Sequence, residues 1–95
     1  MIEVSVQEMT VRVRGEATIH CAEQLLLALR GVLESGQRVA AISLAELTDL
    51  DTAGVQVLLA FQRATGASPI ADCPERMARV IEGLGLAPHL LGATF

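Results

Sequence analysis

The stretch Val39–Ala64, VAAISLAELTDLDTAGVQVLLAFQRA, decides the fold of this chain. It opens with the short apolar segment Val39–Leu44, which is typical of a strand that helices cover on at least one face. The polar residues that follow predict a connection. From Ala53 to Thr65 the composition is helical, so the stretch predicts a buried strand, a connecting loop that ends in Asp51–Gly54, and an apolar helix.

A hairpin is predicted upstream of this stretch. Residues Ile2–Gln7 alternate between apolar and polar side chains, and Thr10–Arg14 alternate in the same way. Only a short turn at Glu8 and Met9 separates the two segments, so the strands are expected to pair antiparallel. Gly15 then breaks the pattern, and the second strand is expected to end there.

Two further helices and a weak strand complete the pattern. From about Cys21 to Leu33 apolar residues recur at three- and four-residue steps, and Gly36 is placed to end this helix. A weak strand signal lies at Ser68–Asp72, and a last helix is predicted from Pro74 to Gly85. The apolar tail after Gly85 fits no element.

The resulting order is β-β-α-β-α-β-α. Strands that alternate with helices pair in parallel through right-handed crossovers, so we expect an α/β fold with a mixed, mostly parallel sheet of about four strands and three or more helices. One domain, residues 1–95, accounts for the whole length. Five residues are expected in the core: Leu26, Leu29, Ile42, Leu58 and Ile81.

Composition and charge narrow the function classes. The net charge is -4, and the seven basic residues are scattered, which argues against nucleic acid or an anionic membrane as the main ligand. The longest apolar runs are too short to span a bilayer, and the first residues lack the apolar run of a signal peptide, so we expect a cytoplasmic protein with no membrane insertion. Protein partners are the remaining expectation. Cys21 and Cys73 sit alone in apolar stretches and are expected to act as small buried hydrophobic residues.

An enzyme is not expected. The eight glycines form no phosphate-binding loop, and no G-x-S-x-G nucleophile motif occurs. No catalytic residue, metal ligand or cofactor site is assigned. The only conceivable ligand set for a metal joins residues from separate segments without ligand spacing: His20, Cys21, Cys73 and His89. The acidic residues Glu46, Asp49 and Asp51 precede a helix, where negative charge is favourable, and are interpreted as solvated or capping carboxylates.

The start of the second helix is the best candidate site. Thr52 is expected to be the N-cap residue of this helix, with its hydroxyl accepting a hydrogen bond from a first-turn N–H group. The small residues Ala53 and Gly54 would leave those N–H groups uncovered. A partner protein, or a phosphate on Thr52, could then rest on this surface.

The Val39–Ala64 stretch resembles the signature of STAS domains, the family of anti-sigma-factor antagonists. Members carry a buried strand, a loop that ends in Asp-Ser-Ser-Gly or Asp-Thr-x-Gly, and an apolar helix. Upstream, residues 15–29, GEATIHCAEQLLLAL, are similar to the family's G-E-x-x pattern and first helix. Downstream, residues 73–86, CPERMARVIEGLGL, are similar to its closing helix. The resemblance thus covers nearly the whole chain.

The resemblance implies roles for the loop. In signalling members a partner kinase phosphorylates the residue after the aspartate, which here is Thr52, the candidate phosphoacceptor. This chain has Thr where the sporulation members have Ser, and Ala53 replaces their second Ser. The residues expected to contact a partner are Asp49, Asp51, Thr52, Ala53, Gly54 and Gln56.

Three functional hypotheses follow. The first is a non-enzymatic signalling module that docks on an anti-sigma-type serine/threonine kinase or another signalling protein and is switched by phosphorylation at Thr52. The second rests on the similarity of the Asp-Thr-x-Gly loop to the STAS subunit of Mla-type phospholipid ABC transporters, which binds the cytoplasmic ATPase. The third, a small-molecule or nucleotide-binding domain, has no motif to support it.

Overall fold

The computed structural model describes residues 1–66 and 69–85. In this part of the chain the order of elements is β-β-α-β-α-β-α, which confirms the predicted fold class. The elements are β1 (Ile2–Gln7), β2 (Thr10–Ala17), α1 (Ala22–Glu34), β3 (Ala41–Leu50), α2 (Thr52–Ala64), β4 (Ile70–Asp72) and α3 (Glu75–Gly83).

The four strands form one mixed sheet in the order β1-β2-β3-β4. β1 and β2 make the expected antiparallel hairpin, while β2, β3 and β4 run parallel. The turn between β1 and β2 places Glu8 and Met9 at φ angles of 51° and 65°, the positive values that the tightest hairpin turns require. The carboxyl ends of β2 and β3 consequently lie at the same edge of the sheet.

β2 is longer than predicted. Gly15 does not end the strand, which continues to Ala17. The glycine has a φ angle of 107°, and a Cβ atom there would lie 2.2 Å from the carbonyl oxygen of Met1. The pairing with β3 shifts register on either side of Arg14, so the interruption that was interpreted as the end of the strand is an irregularity within it.

β3 is also longer than predicted, because its polar second half, expected to be a connection, stays in the sheet as far as Leu50. Leu47 and Leu50 are buried within this half. Glu46 is exposed, and its carboxylate lies 3.6 Å from Arg14 Nε and 3.9 Å from Arg12 Nη1 on the neighbouring strand. Polar residues here face solvent on one side of the sheet and so do not exclude a strand.

The core lies between the sheet and the helices. Its largest fully buried side chains are Leu25, Leu29, Ile42, Leu44, Leu58, Met77, Ile81, Val11, Val13 and Val55. Four of the five predicted core residues are therefore confirmed. Leu26 is the exception, since 40% of it is exposed. Leu25, Leu29 and Val32 take the inward positions of α1, and Leu26 lies about 100° further round the helix.

The remaining boundaries differ from the predictions by a few residues. α3 begins after Pro74, which lies at the N-cap, and ends at Gly83. β4 is confined to Ile70–Asp72, and Ser68, the first residue of the predicted strand, lies outside the described residues, as does the tail after Gly85. Cys21 is buried and Cys73 is partly buried, and neither forms a disulfide within the described chain. None of the helices within residues 1–66 and 69–85 has the length and apolar character to cross a bilayer.

The difference between Leu58 and Leu26 predicts unequal effects of truncation. Leu58→Ala should lower the free energy of unfolding by about 2–5 kcal/mol, because a fully buried leucine leaves a cavity when it is truncated. Leu26→Ala is the matched control and should cost less than about 1 kcal/mol, since that side chain already contacts water. Urea unfolding of the two variants and the wild type measures both values. Equal losses would contradict this placement of the helices.

Candidate functional site

The candidate site lies at the edge of the sheet where β2 and β3 end and α1 and α2 begin. We call this region the carboxyl edge and define it as residues 17–21, the last residue of β2 and the turn that links it to α1, together with residues 49–56, the end of β3 and the start of α2. Parallel pairing brings these two segments together, since Ala17 pairs with Leu50 in the last rung of the ladder.

Asp51 connects the two segments of the carboxyl edge. Its carboxylate accepts hydrogen bonds from the backbone N–H of Gly54 at 3.1 Å and from that of Ile19 at 2.9 Å. Its own N–H donates to the carbonyl oxygen of Ala17 at 3.2 Å. One residue thus holds the start of α2 against the turn after β2.

The N-cap of α2 is Asp51, so the expectation that Thr52 caps this helix is wrong. Asp51 has the extended backbone of a capping residue, and its side chain accepts from the N–H of Gly54, the third residue of the helix. Thr52 is the first helical residue and its side chain is exposed. The expectation that small residues would leave the first-turn N–H groups uncovered does not hold for Gly54, whose N–H already donates to Asp51.

Gly54 is required for close packing at the carboxyl edge. A Cβ atom at this position would lie 1.9 Å from the carbonyl oxygen of Ala17 and 3.0 Å from its Cβ atom. Since those distances are far below van der Waals contact, any side chain here would push α2 away from the end of β2. Steric crowding by Ala17 therefore explains why residue 54 is a glycine.

The environment of Asp51 favours its ionised form. Its carboxyl pKa lies below the usual value for an aspartate, chiefly because the Ile19 N–H donates to the carboxylate. The N–H groups of Gly54 and Ala53 and the nearby His20 act in the same direction. Partial desolvation raises the pKa; its effect is smaller than that of the Ile19 N–H but larger than that of any one of the other groups. The charge on Asp51 is thus coupled to the fold of the carboxyl edge.

A family model described as "Mlab, STAS domain" matches residues 1–92. The chain belongs to the STAS domain family. No curated protein sequence matches it.

Solved structures with the same fold include three of anti-sigma factor antagonists, two of them of SpoIIAA. SpoIIAA in its unphosphorylated form is 22% identical, with a TM-score of 0.69, and the match covers 96% of this chain and 86% of that one. An antagonist from Mycobacterium paratuberculosis is 21% identical, with a TM-score of 0.75 and coverage of 95% and 81%. The phosphorylated form of the Bacillus cell fate determinant SpoIIAA is 24% identical, with a TM-score of 0.61 and coverage of 96% and 89%. At these identities the likeness shows that this STAS domain shares their fold.

The structure divides the predicted contact residues of the STAS domain into two groups. Asp49, Thr52 and Gln56 have exposed side chains at the carboxyl edge, and Ala53 is partly buried. Asp49 also accepts from the N–H of Leu50 at 2.8 Å. Asp51, which is partly buried, and Gly54, which is buried, instead hold the two segments together.

Sequence reasoning missed the contribution of the turn after β2. Ala17 and Ile19 contact the Asp51–Gly54 segment directly, although 32 residues separate Ile19 from Asp51. Both contacts use backbone atoms of the turn, so its side chains give no local signal. The parallel pairing of β2 with β3 was the only sequence feature that could have indicated the proximity.

Two other kinds of site are a metal site and an apolar groove. Within residues 1–66 and 69–85 no cluster of three or more His, Cys, Asp or Glu side chains is arranged to hold a metal ion, and His89 lies outside these ranges. An apolar groove runs between α1 and α2, lined by Leu26, Leu33 and Val57 among others. It is separate from the carboxyl edge and contains none of the predicted contact residues.

Asp51→Ala and Thr52→Ala should differ in stability. Asp51→Ala removes the cap and the hydrogen bond to Ile19, so it should lower the free energy of unfolding by about 1–2 kcal/mol. Thr52→Ala should change it by less than about 0.5 kcal/mol, because the side chain is exposed at a position where alanine is a good helix former. Urea unfolding at neutral pH distinguishes the two, and a larger loss for Thr52→Ala would show that Thr52 is the cap.

The advantage of wild type over Asp51→Ala should also depend on pH. Since the folded pKa of Asp51 is lowered, the stabilisation from its charge is complete above the pKa of the unfolded chain. It should be lost as the pH falls through the lowered pKa of the folded state. Unfolding curves of both proteins from neutral to acid pH should therefore converge toward the acid end, and a difference that widens there would contradict the role assigned to the carboxylate.

Proposed function

We propose that this STAS domain, residues 1–95, is a non-enzymatic docking module that binds a partner protein in the cytoplasm through the carboxyl edge. The observation that carries the proposal is the contrast between Thr52 and its neighbours. Thr52 is exposed, while Asp51 and Gly54 on either side fix its backbone. A rigid backbone that presents an accessible side chain loses little conformational entropy when a partner binds.

Thr52 is the proposed phosphoacceptor of this surface. A serine/threonine kinase of the anti-sigma type would transfer the γ-phosphoryl group of ATP to its exposed hydroxyl and release ADP. The phosphate would add a charge of about -1.5 to -2 next to Asp51 and Asp49. SpoIIAA has been solved with and without its phosphate, and both forms share the fold of this chain. A phosphate on Thr52 is therefore proposed to change binding with little change in the fold.

Phosphorylation at Thr52 can be tested with a matched pair of threonines. The wild-type protein and the Thr48→Ala variant, whose substituted residue is also exposed and lies four positions away, should each gain the mass of one phosphoryl group when incubated with the host's candidate kinase and Mg-ATP. Thr52→Ala should gain none. Intact-mass spectrometry measures the outcome, and modification of Thr52→Ala would place the phosphoacceptor elsewhere.

The effect on binding needs its own measurement. Thr52→Glu should weaken the affinity for the partner by about tenfold or more, because it places a larger side chain with an unmatched charge in the interface. Thr52→Ser, which keeps the hydroxyl, is the control and should bind like wild type. Titration calorimetry gives both dissociation constants. Unchanged affinity for Thr52→Glu would argue against a docking role for this residue.

A second candidate function is an accessory subunit of an Mla-type phospholipid ABC transporter. The match to a family model described as "Mlab, STAS domain" favours it. In this role the carboxyl edge would bind the cytoplasmic ATPase permanently, and Thr52 would be a contact residue without modification. Neither candidate requires a cofactor, a nucleic acid or insertion into the membrane.

The two candidates predict complexes of different lifetime. A transporter subunit should form a complex with the purified ATPase that survives gel filtration and is insensitive to ATP-dependent phosphorylation. A signalling module should bind the kinase transiently and dissociate once Thr52 carries phosphate. Gel filtration of each purified pair, before and after incubation with Mg-ATP, separates them, and failure of the chain to bind either protein would contradict the proposed function.

A further inference from the structure

An exposed apolar side chain also lies at the carboxyl edge, and the predicted contact residues do not include it. Ile19, in the turn between β2 and α1, has 65% of its surface exposed. It is followed by the exposed His20. Single exposed apolar residues are common on protein surfaces, so exposure alone assigns no role to Ile19.

The backbone on both sides of Ile19 is held in place. The N–H of Ile19 itself donates to Asp51 at 2.9 Å. Ala17, two residues earlier, accepts from the N–H of Asp51 at 3.2 Å. The N–H of Cys21, two residues later, donates to the carbonyl oxygen of Thr18 at 2.9 Å and closes the turn. The backbone of the turn is therefore fixed, and the Ile19 side chain is exposed to solvent. A hydrogen bond joins Ile19 directly to Asp51, the residue before Thr52.

The charges around Ile19 are mainly acidic. The segments 17–24 and 48–56 contain Glu23, Asp49 and Asp51 and no Arg or Lys. The Arg76 guanidinium of α3 reaches this side and donates to the carbonyl oxygen of Thr48 at 2.6 Å. The N-terminal ammonium of Met1 also reaches it, 3.5 Å from Cys21 Sγ, and is paired with the carboxylate of Glu16 at 3.0 Å. An apolar side chain bordered by carboxylates is complementary to an apolar pocket bordered by basic residues.

We propose that Ile19 is an apolar anchor of the docking surface, meaning that its side chain enters a pocket on the partner protein, and that arginine or lysine residues border this pocket. Asp51 is the positioning residue: it accepts a hydrogen bond from the Ile19 N–H and so fixes the position of Ile19. This inference rests on the proposed function, because it assigns a further contact to the same partner. It makes the carboxyl edge a surface of two segments, one polar at Thr52 and one apolar at Ile19.

The test compares two exposed apolar residues in one binding assay. The probe is the purified kinase or the purified ATPase, whichever binds the wild-type chain. Ile19→Ser should raise the dissociation constant by about tenfold or more, as the loss of a buried anchor does. Leu27→Ser is the matched control, because Leu27 is 55% exposed but lies on α1 outside the carboxyl edge, and it should change the constant by less than about twofold. Both variants should retain wild-type unfolding curves.

The positioning role of Asp51 requires a double-mutant cycle. Asp51→Asn should weaken binding more in the wild-type background than in the Ile19→Ser background, because part of its effect passes through the isoleucine and the rest through Thr52. A purely structural role would give additive losses in the two backgrounds.

The basic border of the pocket predicts that added salt weakens binding of the wild type and of Asp49→Asn to different extents, with the smaller salt dependence in the variant.

The outcomes separate this inference from the proposed function. If neither kinase nor ATPase binds the wild-type chain, the proposed function fails. If one binds and Thr52→Glu weakens it while Ile19→Ser and Leu27→Ser have the same small effect, the docking function stands and the anchor role of Ile19 is overturned. Additive losses in the cycle overturn the positioning role of Asp51, and salt-independent affinity overturns the basic border.

Discussion

The carboxylate of Asp51 is the interaction on which the carboxyl edge depends. It joins the N–H of Ile19 to the N–H of Gly54, and these groups belong to segments that meet only because β2 and β3 pair in parallel. Without this link, the start of α2 would be held to this region only by the hydrogen bond from the Asp51 N–H to Ala17 and by the packing of Gly54 against Ala17. With it, one buried glycine and one ionised carboxylate fix both backbones, and the exposed side chains on them keep a constant separation.

The four residues of Asp51–Gly54 therefore have different tasks. Asp51 and Gly54 serve the fold, the first through hydrogen bonds and the second through the close approach of Ala17. Thr52 makes no comparable contact within the fold, and its side chain is exposed. Because the structural residues flank the exposed one, substitutions at Thr52 are expected to leave the helix start in place. The family motif thus combines a scaffold with an exposed position.

The order of elements, the mixed sheet and most of the core were predictable because they depend on local periodicity and on short crossovers. The errors have a common cause. The polar half of β3, the glycine within β2 and the N-cap of α2 are all determined by contacts between distant segments: Arg12 and Arg14 with Glu46, Met1 with Gly15, and Ile19 with Asp51. Leu26 was placed in the core wrongly because the apolar stripe of α1 is wider than the face of that helix that packs against the core. The residues of the motif were identified from the sequence, but their division into scaffold and surface required the fold.

The capping role of Asp51 also changes how a phosphate on Thr52 would act. A free helix N-terminus attracts a phosphate through its unpaired N–H groups and its dipole, a stabilisation of about 0.3–1 kcal/mol at an exposed site. In this domain Asp51 already accepts from the N–H of Gly54, and its charge stands beside the place where the phosphate would be. The donors that would draw the phosphate into the helix start are thus partly occupied, and the nearest charge repels it. A phosphate held in this way would point away from the domain and toward a partner. Binding would then be opposed by the phosphate itself, and the scaffold beneath it would have no reason to rearrange.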